Sequence, residues 1–211
     1  MRSGRAEGAL AEARRLDLAI YRAVADTRTP ALDVALARLS QAANHSKISI
    51  GLALALALSG GRKGTRAAVR GMASVGVTSA VVNLAFKPLV RRRRPDRQGL
   101  FAVGRPRVRM PTTRSFPSGH TAAAFAFATG VGQELGWAGP PLYALAAVVG
   151  YSRVHTGVHY PLDVIVGALA GVALGELTGA CIDRAAGARP ADSGRYQSQG
   201  VSVPTSASSS R

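Results

Sequence analysis

Five long apolar stretches constrain this chain more than any other feature. They span roughly residues 42–60, 67–86, 120–137, 139–151 and 163–182, and few charged residues interrupt them. A bilayer core about 30 Å thick takes about 20 helical residues to cross, so four of the stretches are long enough and one is short. The pattern predicts an all-α fold: a polytopic membrane bundle of about five transmembrane helices.

The charge balance is the second constraint. The chain has 27 Lys and Arg residues against 11 Asp and Glu, a formal net charge of +16, yet 47% of its residues are hydrophobic. A soluble nucleic-acid-binding protein would account for the charge but not for the long uncharged stretches. A membrane protein with basic edges accounts for both, so we expect the membrane as a partner and no nucleic acid.

The first 41 residues are less apolar than the rest. Residues 10–28 place apolar side chains at intervals of four among several arginines, which is typical of a helix with one apolar stripe: Leu16, Ile20 and Val24. Thr29 and Pro30 suit the N-cap and first position of a second such helix. We interpret residues 1–41 as amphipathic helices that either lie on the membrane surface or pack against the bundle.

Two further patterns concern the last span and the C-terminus. Small residues recur every four positions at Gly167, Gly171 and Gly175, a spacing that lets helices approach closely in lipid. From about residue 185 the chain is rich in Ser, Gly and Pro and shows no apolar period. We therefore expect residues 185–211 to form a disordered tail.

Polar clusters lie at the ends of the apolar stretches. The stretch 67–86 ends in "KPLVRRRRPDR", "SFPSGH" opens the next stretch, and the chain then crosses and returns to deliver "SRVHTGVHYPLD". All three clusters are predicted to reach the same face of the bilayer.

The residue types in these clusters suit a tetrahedral anion. Ser118 resembles an N-cap, Gly119 lets an anion approach the backbone, and the first N–H groups of a helix bind phosphate. Lys87, Arg94 and Arg153 add positive charge, and the planar fork of arginine grips two oxygens at once.

Two histidines complete a reactive constellation. Pro161 suits the first position of the last helix, which puts Asp163 in its first turn and His159 just before it. The carboxylate can then fix the tautomer of His159 for nucleophilic attack, while His120 protonates a leaving oxygen. His155 has no assigned partner and is expected either to support the reacting residues from behind or to be structural. We expect no metal site, because the spacing of zinc hydrolases is absent and nearby cations would repel a metal.

These segments resemble a known family. Lys87 to Pro95, Pro117 to His120 and Ser152 to Asp163 are similar to the three-part signature of the phosphatidic acid phosphatase type 2 superfamily, which also includes vanadium-dependent haloperoxidases. All three parts are present, in order. The resemblance covers roughly residues 80–180.

The resemblance implies an integral membrane lipid phosphatase, and the apolar stretches place its transmembrane domain at residues 42–184. It implies that His159 forms a phosphohistidine, that Asp163 orients it, and that His120 is the general acid. The phosphoryl oxygens would be held by Lys87, Arg94, Ser118, Gly119 and Arg153, with no cofactor. The expected partner is a lipid phosphate in the bilayer.

Two other functions stay open on the sequence. A non-catalytic scaffold would use the basic face to bind anionic lipids, although each residue of the signature is present. A vanadate-dependent haloperoxidase would use the same cradle, although the family members of that type are soluble and larger.

The substrate and the sidedness are less constrained. Phosphatidic acid, phosphatidylglycerol phosphate, undecaprenyl pyrophosphate and polyprenyl phosphosugars all present phosphate at the interface. Arginine far outnumbers lysine, which is typical of GC-rich bacteria, and an actinobacterial source would favour a decaprenylphosphoryl phosphoribose. The resemblance is to enzymes whose sites often face the outside of the cell membrane, whereas ten basic residues lie between positions 87 and 114 and favour the cytoplasmic face by the positive-inside rule. Both sides stay open on the sequence.

Overall fold

The computed structural model describes residues 2–27, 29–97 and 108–187, and every regular element in these ranges is helical. The elements are α1 (Arg2–Asp26), α2 (Pro30–Ala42), α3 (Lys47–Ser59), α4 (Gly61–Val81), α5 (Lys87–Leu89), α6 (Gly119–Glu134), α7 (Gly139–His155) and α8 (Pro161–Gly187). A π-helical turn over Val82–Phe86 makes α4 and α5 one continuous helix. The all-α prediction is confirmed.

Helix α6 lies at the centre of the bundle and packs against α4, α7 and α8. Apart from Phe127, its buried positions are small or β-branched, and Ala122, Ala126 and Val131 have no exposed surface. Because such side chains are short, the neighbouring helices can approach α6 closely. The N-terminus of this central helix carries Ser118 as its cap, so the core of the bundle positions one part of the predicted site.

The glycine repeat of α8 is the contact surface toward α6. A Cβ atom at Gly167 would lie 2.7 Å from the backbone oxygen of Ser118, and one at Gly171 would lie 2.3 Å from that of Ala122. A Cβ atom at Gly175 would meet Thr129 at 2.8 Å. These distances leave no room for a side chain, so the close packing that the four-residue spacing predicts is present.

Two helices in the described ranges are long and apolar enough to cross a bilayer. They are Gly61–Leu89, with a mean hydropathy of 1.3, and Pro161–Gly187, with a mean hydropathy of 1.8. Helices α3, α6 and α7 have 13, 16 and 17 residues, fewer than the roughly 20 that a perpendicular crossing takes. The predicted number of five spans is therefore approximate.

The N-terminal helices pack against the bundle. Both contact α7, and α1 also contacts α8. Pro30 begins α2 with Thr29 as its N-cap, as the sequence predicts. A helix that packs against a bundle is expected to bury its apolar stripe, but α1 does not. Leu16 and Ile20 are more than half exposed, whereas Asp17 is 4% exposed. The side that faces the bundle thus carries a carboxylate, and the apolar side faces outward.

Two of the predicted segment boundaries can be compared with the ends of helices. Residue 42 is the last residue of α2, so the predicted boundary between residues 41 and 42 falls one residue before the end of that helix. Helix α8 continues through residues 185–187, which the sequence reading assigned to the tail. The rest of that predicted tail, residues 188–211, lies outside the described residues.

Candidate active site

Backbone contacts join the three polar clusters at one end of the bundle. The Ser118 N–H, at the start of α6, donates to the backbone oxygen of Asp163 in α8 at 2.9 Å. Arg94, in the segment after α5, donates from Nη1 to the backbone oxygen of Val158 at 2.9 Å. The segments that the sequence predicts to meet therefore do meet.

His159 and Asp163 face each other across the start of α8. Pro161 is the first residue of that helix, so Asp163 lies in its first turn and His159 just before it. The His159 Nδ1 atom is 3.5 Å from Asp163 Oδ2, and both side chains are buried. This separation is longer than an ordinary hydrogen bond, and Nδ1 has no other hydrogen-bond partner among the described residues. The carboxylate stands beside the nitrogen that it is predicted to orient.

The other ring nitrogen of His159 faces Arg94. Arg94 Nη1 lies 3.1 Å from His159 Nε2, and a guanidinium only donates, so Nε2 is the acceptor and carries a lone pair. The proton of the neutral ring then sits on Nδ1, toward Asp163. The His159 pKa is lowered to about 4: burial is the largest cause, the contact with Asp163 acts in the opposite direction, and the charge of Arg94 also lowers the pKa. The imidazole is therefore neutral at pH 7, and the lone pair on Nε2 faces the guanidinium of Arg94.

Thr113 brings two of the predicted anion-binding cations together. Its hydroxyl oxygen accepts from Arg94 Nη2 at 3.2 Å and from Lys87 Nζ at 3.4 Å. Lys87 also donates to Asn83 Oδ1 at 2.7 Å. Burial lowers the pKa of Arg94 to about 10, which leaves its guanidinium charged at neutral pH. Two cations thus share one threonine beside the nucleophile candidate.

An open pocket of about 440 Å³ lies next to these cations. Lys87, Gly119 and His120 all line it, together with Thr113 and Asn83. A Cβ atom at Gly119 would lie 3.8 Å from Lys87 Nζ, so the ammonium group stands directly over the start of α6. The first N–H groups of a helix lack intrahelical acceptors, and this start faces a pocket that an anion can enter.

Ser118 serves as the cap of α6. Its hydroxyl oxygen accepts from the backbone N–H of Thr121 at 3.4 Å and lies 2.9 Å from the Thr121 hydroxyl. The residue has no exposed surface. The N-cap prediction is confirmed, and the hydroxyl group is directed into the first turn of its own helix.

Arg153 points toward α2. Its Nη1 group donates to the backbone oxygen of Ser40 at 2.7 Å and to the Ser40 hydroxyl at 2.8 Å. Its Nε group is buried and has no hydrogen-bond partner within the described part of the chain. The backbone oxygen of Arg153 accepts from the N–H groups of Val158 and His159, so the residue also shapes the loop that carries the histidine.

The contact of His155 is with the N-terminal helices and not with the residues around His159. Its Nε2 atom lies 2.7 Å from Asp33 Oδ1 of α2, and the imidazole is almost fully buried. The pair connects the end of α7 to the N-terminal helices, which agrees with the structural alternative for this residue.

Two side chains that donate to Asp163, those of Arg92 and Ser115, are not distinguished by the sequence analysis. Arg92 Nη1 donates to Asp163 Oδ1 at 2.8 Å, and its Nη2 group donates to Asp17. The Ser115 hydroxyl donates to Asp163 Oδ2. Ser115 stands three residues before the capping serine, and Arg92 is one of four consecutive arginines. Neither position has a pattern of its own that would distinguish it.

No group of three or more His, Cys, Asp or Glu side chains is arranged to hold a metal ion within residues 2–27, 29–97 and 108–187. The group beside His159 Nε2 is the guanidinium of Arg94, at 3.1 Å. The residues present suit a phosphate group, which requires positive charge and N–H donors.

Comparisons with known proteins agree with this geometry. Over 108 residues the chain is 40% identical to decaprenylphosphoryl-5-phosphoribose phosphatase of Mycobacterium tuberculosis, which covers 51% of this chain and 55% of that protein. The chain therefore spans about half the length of this relative.

Two solved structures share the fold. LpxE from Aquifex aeolicus aligns with a TM-score of 0.60 at 29% identity and covers 77% of this chain and 94% of that one. A transmembrane PAP2 type phosphatidylglycerolphosphate phosphatase from Bacillus subtilis aligns with a TM-score of 0.63 over 82% of this chain and 87% of that one, at 22% identity. The sequence also matches the family model of the PAP2 superfamily over residues 68–185, more than half of its length. The chain belongs to the PAP2 superfamily.

Proposed function

We propose that the protein is an integral membrane lipid phosphatase that hydrolyses a phosphomonoester through a phosphohistidine intermediate. The observation that carries the proposal is the environment of His159. This buried imidazole has its Nε2 lone pair directed at a cation and its Nδ1 atom beside a buried carboxylate. Such an arrangement keeps a nucleophilic nitrogen unprotonated and oriented.

In the first step, Nε2 of His159 attacks the phosphorus atom, and a nitrogen–phosphorus bond forms as the bond to the lipid oxygen breaks. His120 lines the neighbouring pocket and donates a proton to that oxygen, so the lipid leaves as an alcohol. The proton on Nδ1 stays directed at Asp163, which stabilises the positive charge that the ring acquires.

In the second step, water replaces the histidine. His120, now deprotonated, accepts a proton from the water molecule, which attacks the phosphorus atom and releases inorganic phosphate. His159 leaves with its Nε2 lone pair restored. Each step moves one proton through His120 and needs no cofactor.

The phosphoryl oxygens would be held by the cations and N–H donors of the site. Lys87 and Arg94 meet at Thr113, and Gly119 and the cap Ser118 place the start of α6 beside them. Arg153 would contribute its buried Nε group, which has no partner in the described residues. Preorganised positive charge of this kind stabilises a transferring phosphoryl group.

We infer a multi-pass position in the cell membrane. The helices Gly61–Leu89 and Pro161–Gly187 are long and apolar enough to cross, and each places an end at the site. A lipid whose tail stays in the bilayer would then present its phosphate at the polar end of the bundle. The excess of basic residues near the site favours the cytoplasmic face.

Polyprenyl phosphosugars are the substrate class that the comparisons favour. The mycobacterial relative is named for decaprenylphosphoryl-5-phosphoribose, and it is 40% identical over the aligned residues. The phosphate of such a molecule is a monoester on a sugar, attached to a lipid that stays in the membrane. The open pocket beside His120 gives room for the sugar next to the phosphate.

Phosphate release in detergent tests the proposal. Purified protein is incubated with EDTA and a panel of polyprenyl phosphosugars, phospholipid monophosphates and polyprenyl pyrophosphates. Release should favour the phosphosugars and should disappear in His159→Ala. His155→Asn is the matched control, because it removes a second buried imidazole and should lower the melting temperature while turnover by the folded protein persists.

Other outcomes would redirect the proposal. Release from pyrophosphates alone would change the substrate class. Retained turnover in His159→Ala would refute the assigned nucleophile. A folded protein that releases phosphate from no lipid would favour a scaffold that binds anionic lipids.

A further inference from the structure

A carboxylate of α1 reaches the active-site end of the bundle. Asp17 is 4% exposed, and both of its oxygens are used. Oδ1 accepts from the backbone N–H of Leu162, in the first turn of α8, at 2.7 Å. Oδ2 accepts from Arg92 Nη2. One side chain thus connects the N-terminal helix to the start of α8 and to the segment that follows α5.

Arg92 continues this connection to the carboxylate beside the nucleophile. Its guanidinium bridges two acids, with Nη2 on Asp17 and Nη1 on Asp163 Oδ1 at 2.8 Å. The same group lies over the ring of Tyr160, 4.2 Å from the ring centroid. A guanidinium is planar and its N–H groups point in fixed directions. The contact of Nη2 with Asp17 therefore determines where the Nη1 group of Arg92 lies.

Three hydrogen bonds from residues other than His159 hold the carboxylate of Asp163. Oδ1 takes the Arg92 hydrogen bond, and Oδ2 accepts from the Ser115 hydroxyl and from the Tyr160 N–H at 3.0 Å. These donors fix the plane of the carboxylate. That plane sets how Oδ2 faces the Nδ1 atom of His159, 3.5 Å away.

The docking of α1 supports a specific role for this contact. Tyr21, one turn after Asp17, is 1% exposed, and its ring centroid lies 5.3 Å from that of Tyr160. Leu16 and Ile20 lie on the outer side of the helix instead, at 59% and 51% exposure. Because the buried face carries a carboxylate, α1 contributes charge to the site end as well as packing. This helix also lies outside residues 68–185, the range that matches the family model.

We propose that Asp17 is a positioning residue for phosphoryl transfer, acting through Arg92 to fix the carboxylate of Asp163 that orients His159. The proposal rests on the proposed function, because it assigns His159 as the nucleophile. Asp17 touches neither the substrate nor the reacting atoms. Its loss should slow the chemical step and leave substrate binding nearly unchanged.

Kinetics of three variants test the connection. Asp17→Asn removes the acceptor for Arg92 Nη2, and Arg92→Gln removes the bridge. Both variants should lower kcat about 10-fold and keep KM within about 2-fold of the wild type. A loss of this size is typical when a residue that orients a functional side chain is removed. The double variant should fall no further than Arg92→Gln alone, because both changes break one chain of contacts.

Arg92→Lys and Asp33→Asn complete the set. Lysine keeps the charge of the partly exposed Arg92 side chain but lacks the two-armed geometry, so Arg92→Lys should fold and still lose kcat. Asp33→Asn removes another carboxylate that ties the N-terminal helices to the bundle, through His155. It should lower the melting temperature without the fall in kcat.

Nuclear magnetic resonance of the histidine ring nitrogens gives a readout that needs no substrate. The chain has four histidines, so the His159 signals can be assigned by their loss in His159→Ala. At pH 7 these signals should move in Asp17→Asn and in Arg92→Lys and should keep their wild-type positions in Asp33→Asn.

The outcomes separate the two proposals. Wild-type kcat and unmoved His159 signals in Asp17→Asn would overturn the role of Asp17 while leaving the phosphatase proposal in place. If the wild-type protein releases no phosphate but the His159 signals move, the phosphatase proposal fails and the connection from Asp17 to His159 stands. If Asp17→Asn does not fold, wild-type kcat and signals in Arg92→Lys would overturn the proposal.

Discussion

Arg94 Nη1 lies 3.1 Å from Nε2 of His159, so the nitrogen assigned to attack phosphorus is already paired with a cation. The same guanidinium donates from Nε to the backbone oxygen of Thr113 at 2.8 Å, which holds it in place. An incoming phosphate oxygen would compete with Nε2 for the Nη1 donor. Under the proposed function, Arg94 would bind the phosphoryl group and release the lone pair of His159 as it does so.

Replacing Arg94 tests this role. Arg94→Gln should lower kcat/KM by about 10²- to 10³-fold, the cost of removing one preorganised donor from a transition state. Arg93→Gln is the matched control, since it removes the same charge from an exposed neighbouring position, and it should stay within about 2-fold of the wild type. Steady-state phosphate release measures both. Equal losses of kcat/KM in the two variants would mean that the positive charge of the segment, and not the position of Arg94, supports catalysis.

The lowered pKa of His159 predicts the acid limb of the pH profile. The attacking form is the neutral ring, and the pKa of the buried group is about 4 instead of the usual 6.5 or so. The value of kcat/KM reports groups of the free enzyme, so activity should be retained to about pH 4–5 before His159 protonates. An acid limb near pH 6.5 that is assigned to His159 by nuclear magnetic resonance would contradict the burial argument.

The same shift predicts how stability depends on pH. Between about pH 6.5 and pH 4 the unfolded chain protonates this histidine while the folded protein does not, so the unfolded state binds more protons. The contribution of His159 is therefore complete above pH 6.5 and is lost as the pH falls toward 4. The drop in melting temperature from pH 7 to pH 5 should shrink in His159→Ala and stay unchanged in His45→Asn, where the replaced histidine is exposed.

The sequence was sufficient for the parts of the site that follow from local helix rules. Pro161 at a first helical position fixes Asp163 in the first turn, and Ser118 before Gly119 marks a capped helix start. Such features depend on residues a few positions apart. The predicted convergence of the three clusters needed only the order of the apolar stretches.

Contacts between distant segments could not be read from the sequence. Four consecutive arginines look alike, and only the path of the chain after α5 sends Arg92 to Asp163 and Arg94 to His159. The apolar stripe of α1 likewise does not predict which side of that helix packs against the bundle. In lipid an exposed apolar side and a buried polar side are both tolerated, so periodicity locates the stripe but does not say which side faces the protein.

Packing of α8 on α6 predicts a steric limit at Gly171. In Gly171→Ala the new Cβ atom would lie 2.3 Å from the backbone oxygen of Ala122, so the helices must separate. We expect a loss of about 1–3 kcal/mol in the free energy of unfolding. Gly76→Ala is the control, because no atom lies within 4 Å of its added Cβ, and alanine should stabilise α4 by roughly 0.5–1 kcal/mol. Thermal unfolding in detergent measures both, and equal shifts would contradict the close approach of α8 to α6.

Arg70 stabilises the end of the bundle opposite to the site. Its side chain is 9% exposed and joins three helices, donating from Nη1 to Glu134 Oε1 at 2.8 Å and from Nη2 to Asp183 Oδ2 at 2.5 Å. Nη2 also donates to the backbone oxygen of Gly179 at 2.9 Å, in the last part of α8.

Arg70→Met should therefore destabilise the protein without affecting its chemistry. Removing Arg70 leaves the largely buried Glu134 carboxylate with only the exposed Arg66 as a cation, and the loss of a buried partner costs about 3 kcal/mol or more. Arg66→Ala removes the exposed member, whose side chain is 71% exposed, and should cost less than about 1 kcal/mol. The melting temperature should fall mainly in Arg70→Met, with kcat of the folded protein unchanged in both variants. A fall in kcat in Arg70→Met, measured well below its melting temperature, would show that this end of the bundle is coupled to His159 along α6 or α8.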